Sequence, residues 1–212
     1  MKITKLGHCC LLIEENGVRI MTDPGSFTIP QQEQEKNIDL ILISHEHQDH
    51  LHVDSVKKVL ISNPQAVIIS NSAVYKILEK EGIACQIVEK TMSSNFKNIQ
   101  IEACDHKHGP IYQDYGQVQN TGYFVNNKFY YPGDCFSDPG KPVEILAVPV
   151  AGPWLRIGEA IDYAKQINPK NCFPVHDGMI IPQANFGVMV LQHFLKSSTN
   201  VAIPEIGKEM EF

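Results

Sequence analysis

Three imidazoles and two carboxylates crowd into six consecutive residues, His45-Glu46-His47-Gln48-Asp49-His50. Imidazole nitrogen and carboxylate oxygen are the usual ligands of Zn²⁺ and comparable divalent ions. His45 and His47, two apart behind an apolar run, converge on one ion if the loop turns there, and Asp49 and His50 then point toward a second. The competing reading is a solvated polar loop. So many ligand-type residues directly after an apolar strand make that the weaker of the two.

The elements around this segment repeat the arrangement. Val18–Thr22 ends at Asp23, residues 39–44 end at His45, and residues 99–103 precede Asp105, His106 and His108. Phe129–Tyr131 precedes Asp134, and residues 172–175 end at His176. Active sites in open α/β sheets collect beyond the carboxyl ends of strands, so five such endings point to one shared rim. Upstream, residues 10–14, Asn16-Gly17 and Val18–Thr22 spell a hairpin. Residues 25–37 are polar and aperiodic, a loop or a short polar helix. Residues 39–44 are a strand covered on both faces. Val53, Val56, Val59 and Leu60 recur at helical spacing, residues 66–70 are strand-like, and residues 73–81 form a helix closed by Gly82. Residues 39–90 therefore alternate β-α-β-α-β. Short strands follow at 99–103, 123–125, 129–131, 145–148 and 172–175, with Asn126-Asn127 as a turn. Residues 158–167 and 186–195 have the spacing of amphipathic helices.

These residues resemble a known family. The HEHQDH segment matches the His-x-His-x-Asp-His pattern of the metallo-β-lactamase-fold hydrolases. Gly7-His8 before an apolar strand and Thr22-Asp23-Pro24-Gly25 resemble the front end of its small single-domain members, the branch of the ascorbate-6-phosphate lactonases and related hydrolases. Pro132-Gly133-Asp134 resembles the family's Gly-Asp element, and Pro174-Val175-His176-Asp177-Gly178 its last His element. The resemblance implies an α/β fold, a four-layer αββα sandwich over residues 1–212 as one domain, with two divalent metal ions at one edge of the paired sheets. Carried over, His45, His47 and His108 hold the first ion, Asp49, His50 and His176 the second, and Asp134 bridges them. His106 stays open as an alternative to His108, because residues two apart on a strand point the same way. Asp23 matches a residue that supports the ligand loop without being a ligand. His8 matches a position near the pocket, or is a hydrogen-bonded strand-end histidine. Zn²⁺ is the expected ion, with Mn, Fe or Ni as alternatives. Diiron flavoprotein relatives place Glu where His47 stands, so this His favours hydrolytic over redox chemistry.

A bound divalent ion lowers the pKa of its water from about 16 to about 7, which supplies metal-bound hydroxide at neutral pH. Asp49, beside the second ion, is the candidate catalytic residue, orienting that nucleophile and taking its proton. Asp23, Asp105 and Asp177 are candidates for fixing imidazole tautomers, and each serves equally well as a turn or cap residue. Trp154 and Arg156 either line the pocket, with Arg156 meeting an anionic substrate through its planar fork, or belong to a helix-entry loop with a surface Arg. Cys135 reads as a packed bystander of Asp134. His52 starts the next helix, and His193 lies inside the last one. Tyr112, Tyr115 and Asn120 flank the His108 segment and are candidates for shaping the pocket.

Composition narrows the partners. Hydrophobic residues at 43% and charged residues at 20% exclude a disordered chain. Lys+Arg 18 against Asp+Glu 24 gives a net charge of −6, which argues against a dedicated nucleic-acid binder. No apolar run approaches the roughly 20 residues that cross a bilayer, so no membrane partner is expected. Met1-Lys2-Ile3-Thr4-Lys5 lacks the apolar stretch of a signal peptide, which makes the cytoplasm the expected location. Six cysteines without a Cys-x-x-Cys pair read as reduced and mostly buried. The expected function is metal-dependent hydrolysis of a small-molecule substrate: an ester, a lactone or a phosphate-containing compound. A homo-oligomer is left open. Three rivals are a nuclease or phosphodiesterase of the same fold, a non-catalytic metal-binding protein and a redox diiron protein. The first needs a basic surface or an added substrate domain, which a charge of −6 and 212 residues oppose.

Overall fold

Strands that are apolar on both faces need cover on both sides, and that requirement organises the chain. The computed structural model describes residues 1–181 and 186–212. The first half contains β1 (Lys2–Gly7), β2 (Cys10–Glu15), β3 (Val18–Thr22), β4 (Leu40–Leu42), β5 (Val67–Ser70) and β6 (Gln86–Ile87). The second half contains β7 (Ser93–Phe96), β8 (Ile99–Lys107), β9 (Gln119–Val125), β10 (Phe129–Tyr131), β11 (Ile145–Pro149), β12 (Asn171–Val175) and β13 (Asn200–Val201), and β14 (Glu209–Glu211) returns to β1. They form two seven-stranded sheets, β14-β1-β2-β3-β4-β5-β6 and β13-β12-β11-β10-β9-β8-β7. The helices are α1 (Ile29–Gln32), α2 (Val53–Ser62), α3 (Ser72–Lys80), α4 (Ile157–Ile167) and α5 (Phe186–Leu195).

Side-chain alternation explains the layering. Leu11, Ile13, Ile20 and Leu42 of the first sheet share one buried cluster with Ile101, Tyr123, Phe129, Ile145 and Phe173 of the second. The intervening Leu12, Met21 and Ile41 pack on Val56 and Val59 of α2 and Val74 and Leu78 of α3. Phe124, Tyr130, Leu146 and Val148 do the same against Ala160 and Ala164 of α4 and Leu191 of α5. The result is the four-layer αββα sandwich. Among the described residues no helix is long and apolar enough to cross a membrane.

Both hairpin turns use the expected residues: Asn16 and Gly17 have φ of 50° and 75°, and Asn126 and Asn127 have 51° and 54°. Positive φ at both central positions is what a two-residue turn between twisted strands demands. Gly82, at φ 70°, follows the end of α3 as anticipated. Residues 26–32 resolve into a 3-10 turn and the single turn of α1. Several features depart from the sequence reading, among them β7, which it did not contain, and β9, which starts four residues before the expected 123. β1 has no clean apolar alternation because Lys5 is buried in it. β13 and β14 are two- and three-residue edge strands recruited by distant partners, through Asn171↔Asn200 and Lys2↔Glu211. β8 runs past residue 103 to Lys107, since its antiparallel ladder with β9 continues through Asp105↔Thr121 and His106↔Asn120.

The topology also sets the edge at which chemistry gathers. β3, β4 and β5 are mutually parallel, as are β10, β11 and β12. β1 reaches β3, and β8 reaches β10, through two antiparallel steps, so they run the same way as those strands.

Candidate metal centre

Strand ends deliver the cluster. His8 follows β1, Asp23 follows β3, His45 lies just past β4, His108 follows β8, Asp134 lies past β10, and His176 follows β12. The His45–His50 segment turns tightly: the N–H groups of His50 and Leu51 both donate to the His47 carbonyl, at 2.9 and 2.8 Å. Pro24-Gly25 forms its floor. A Cβ on Gly25 would fall onto the Asp49 carbonyl, and the Ser26 N–H donates to Gln48 O at 2.8 Å.

Four donor groups result among the described residues; Cys9-His50-Asp134 and Asp23-His45-His50 overlap the others, and the remaining two share no residue. Ligand-type atoms of His45, His47 and His108 lie within 4.8 Å of one another, and so do those of His8, Asp49, His50 and His176. Asp134 stands between: Oδ1 is 3.1 Å from His50 Nε2, while Oδ2 is 3.2 Å from His108 Nε2 and 2.8 Å from His176 Nε2. Hydrogen bonds on the far side of each ring decide which nitrogen is available. His50 Nδ1 donates to Asp23 Oδ2 at 2.6 Å, His108 Nδ1 to the Gly109 carbonyl at 2.7 Å, and His176 Nδ1 to the Ala151 carbonyl at 2.6 Å. Ser44 Oγ must donate its one proton to the Asp23 carboxylate, at 2.5 Å, so His45 Nδ1, 2.9 Å from that oxygen, donates to it. Four rings therefore turn an Nε2 inward, the tautomer-fixing that metal sites use.

Among the described residues, five buried side-chain polar atoms have no hydrogen-bond partner. Four of them are His45 Nε2, His50 Nε2, His176 Nε2 and Asp134 Oδ1. Buried polar atoms are normally satisfied, so four orphans at one point call for cations. Imidazole and carboxylate together suit a borderline ion such as Zn²⁺.

The charges agree. Burial, reinforced by His50, pushes His45 well below the usual histidine range; burial and His108 lower His47. Burial opposes charge on His50 and His176, but Asp134 outweighs it, raising His176 to about 9 and His50 well above its ordinary value. Burial likewise opposes charge on Asp134 and Asp49, yet the surrounding imidazoles hold both carboxyls well below the carboxylate range.

His8 is tied to Asp49. Its Nδ1 accepts from the Gly178 N–H at 3.1 Å, so its Nε2 carries the proton and donates to Asp49 Oδ2 at 3.1 Å. Burial lowers its pKa to about 4 against the pull of Asp49, which keeps it neutral. His8 is thus a buried donor to the cluster. Asp23 ties the segment after β4 together: fully buried, it accepts from the Ser44 N–H at 2.7 Å, from Ser44 Oγ, from His50 and from the Tyr131 hydroxyl. Trp154 is buried, and its indole N–H donates to Asp134 Oδ2 at 2.9 Å.

Other candidates fall outside. His106 is exposed and pairs with Asn120 in the ladder, whereas His108 lies one residue past the strand, buried, with its Nε2 3.2 Å from Asp134 Oδ2. Arg156 is exposed at the head of α4, where its N–H donates to Glu159 at 2.7 Å; it does not line the central cavity. Asp105 accepts from Thr121 and Gln119, and Asp177 pairs with Lys5, so neither fixes an imidazole. Cys135 is packed against Asn120 and Ser137, and His52 caps α2 by accepting the Ser55 N–H. Tyr115 lines the cavity; Tyr112 pairs with it across a small turn. Asn120 holds the Asp134 turn instead of shaping the pocket. Its Oδ1 accepts the Asp134 N–H at 2.9 Å, and its Nδ2 donates to the Pro132 carbonyl at 2.9 Å.

Sequence reasoning missed Ser44, Tyr131 and Lys5. Ser44 stood next to the motif, and a hydroxyl beside a ligand imidazole was the available signal. Lys5 gave none: its ammonium reaches Asp177 at 2.6 Å and the Pro174 carbonyl at 2.9 Å across some 170 residues of chain, anchoring the His176 loop to β1.

Residues 2–176 match the family described as Beta-lactamase superfamily domain. Protein Rv0786c of Mycobacterium tuberculosis is 30% identical over 189 residues, covering 87% of this chain and 87% of that one. A UPF0173 metal-dependent hydrolase of Carboxydothermus hydrogenoformans is 29% identical over 194 residues, 83% of this chain and 84% of its own. Igni18, a metallo hydrolase from the archaeon Ignicoccus hospitalis, superposes with a TM-score of 0.78 at 20% identity, over 100% of this chain and 98% of that one.

Proposed function

The chain belongs to the β-lactamase superfamily and is a metal-dependent hydrolase of the metallo-β-lactamase fold, and from that premise we propose that it works with two divalent cations, Zn²⁺ foremost, on a small ester, lactone or phosphate-containing substrate. His45, His47 and His108 would hold one cation, Asp49, His50 and His176 the other, and Asp134 would face both. Cations bound there supply an acidified water and polarise a carbonyl or phosphoryl oxygen.

The chain's own residues do the positioning. Asp23, Ser44 and the carbonyls of Gly109 and Ala151 fix the ring tautomers so that no ligand imidazole needs to reorient. Asp49 accepts the O–H of the attacking water. A carboxyl held so far below its ordinary value is a poor place for a proton to rest, so Asp49 passes the proton on toward the leaving oxygen. His8 keeps that carboxylate aimed by donating to Oδ2. Trp154 braces Asp134 from the side away from His50. Residues 1–212 serve this site as one domain. The six cysteines, all free thiols, fit residence in a reducing compartment, the cytoplasm.

The observation that carries the proposal is the convergence of three orphaned imidazole nitrogens on one orphaned, buried carboxylate oxygen. Elemental analysis of protein purified without chelator tests it. About two equivalents of divalent metal per chain are expected. Hydrolysis of a p-nitrophenyl ester and phosphate panel should vanish on chelation and return with metal. Less than one equivalent after loading with millimolar Zn²⁺ or Mn²⁺ overturns the proposal.

A further inference from the structure

The cavity over the cluster, about 740 Å³, lies within the usual size range of small-ligand sites. Away from the candidate ligands, Glu46 and Gln48 line one part of the wall, and the rest is apolar: Ile111, Tyr115, Val118, Pro153, Trp154 and Met179. Among the described residues no Lys or Arg lines it. The basic groups nearby are committed elsewhere. Lys5 is buried in its pair with Asp177, Arg156 caps α4 outside the cavity, and Lys107 borders a separate hollow. Residues 182–185, Pro-Gln-Ala-Asn, contain no Lys or Arg. An anionic arm would therefore meet Glu46 and hydrocarbon, in a chain of net charge −6. At the cluster itself, Asp49 and Asp134 already offset part of any cationic charge.

The mouth is built for apolar contact. Tyr115 and Met179, 75% and 46% exposed, both line the cavity, where an apolar ligand group could cover them. Ile111 is held in place: Gly116, at φ 75°, lets it pack so close that a Cβ there would collide with its Cδ1.

We propose that this cavity takes an uncharged ester carrying an apolar arm, with the arm along Ile111, Val118 and Trp154 and its end between Tyr115 and Met179. The proposal rests on the hydrolytic reading and narrows it from three substrate classes to one. The reaction balances with water alone. The water oxygen bonds to the acyl carbon, the acyl–oxygen bond breaks, one hydrogen leaves on the alcohol, and the acid releases the other as a proton.

Trp154 is the only tryptophan, so its emission reports on the cavity independently of turnover. In the metal-loaded full chain, octanamide should change that emission saturably at concentrations at least tenfold lower than glycerol 2-phosphate. With p-nitrophenyl esters, kcat/KM should rise about tenfold or more from acetate to octanoate. The mono-glutarate ester, with its anionic arm, should run at least tenfold below butyrate. Tyr115→Lys and Met179→Lys, both at exposed positions on which the fold does not depend, should each raise the glutarate-to-butyrate ratio several-fold. Equal turnover of the anionic and neutral arms, or emission that answers to glycerol phosphate but not octanamide, overturns the proposal while leaving metal-dependent hydrolysis intact. Conversely, a chain that takes up no metal and cleaves nothing, yet still binds octanamide, sinks the hydrolytic reading and supports the apolar specificity of the cavity.

Discussion

His50 and His176 set the terms on which the cluster takes up cations. Burial opposes their charge, but Asp134 overrides it and raises His176 to about 9 and His50 well above its ordinary value. At pH 7 the metal-free rings therefore hold protons on the same Nε2 lone pairs that a cation needs. Loading must expel them, since ligands bind deprotonated. Below about pH 9 uptake releases the His176 proton, so a rise in pH strengthens binding and a fall weakens it. The change is about tenfold per pH unit for each proton displaced. An indicator dye in weakly buffered solution at pH 7 should register roughly two protons released per chain on saturation with Zn²⁺, and uptake with no proton release contradicts the assignment. A second residue-scale prediction concerns Asp49, whose side chain is 24% exposed and lines the cavity. Asp49→Ala should lower kcat by about 10²- to 10⁴-fold, the range for a lost proton-handling group, with unchanged circular dichroism. Wild-type turnover in that variant removes Asp49 from the mechanism.

Elements, not ligands, decide whether those atoms converge, and Gly25 shows how little room they have. Its φ of −91° is ordinary, so glycine is needed there for space alone: the Asp49 carbonyl occupies the position a Cβ would take. Gly25→Ala should push the His45–His50 turn off its floor and lower metal affinity about 10- to 100-fold, as lost support for ligands typically does. Isothermal titration with Zn²⁺ checks this, and wild-type affinity would mean that the turn does not lean on Gly25. This scale also marks where the sequence stopped being readable. The HEHQDH segment and the candidate ligands at strand ends were legible because side-chain type reveals chemistry and apolar runs reveal where strands stop. His106 and His108 were indistinguishable because the choice depends on where pairing with β9 ends, at the His108 N–H to Val118 carbonyl bond of 3.0 Å. For Arg156 the sequence allowed either a pocket contact or a surface residue at a helix entry, and the structure puts it at the head of α4. Lys5 and Asp177 lie 172 residues apart, and no local pattern announces such a pair.

At the scale of the whole molecule, chemistry occupies one edge of the paired sheets, and the opposite edge carries ties that hold them together. Glu15 ends β2 in the first sheet. Its Oε1 accepts from Asn126 Nδ2 at 2.8 Å and Lys128 Nζ at 2.7 Å, both at the β9–β10 hairpin of the second. The carboxyl is buried, which opposes its charge, yet Lys128 and Asn126 prevail and lower its pKa. A depressed folded-state pKa contributes stability that is complete above the unfolded value of about 4.5 and disappears as pH falls through the folded value. Glu15→Gln keeps the shape of the side chain but removes the charge. Because Lys128 is partly solvated, the loss should be about 1 kcal/mol at pH 7. The cluster at the far edge titrates alike in both proteins, so its effect cancels in their difference. Urea unfolding of wild type and Glu15→Gln at pH 7 and pH 3 should therefore show a gap that closes in acid, whereas a gap of the same size at both pH values would mean that the charge of Glu15 does not hold the two sheets together.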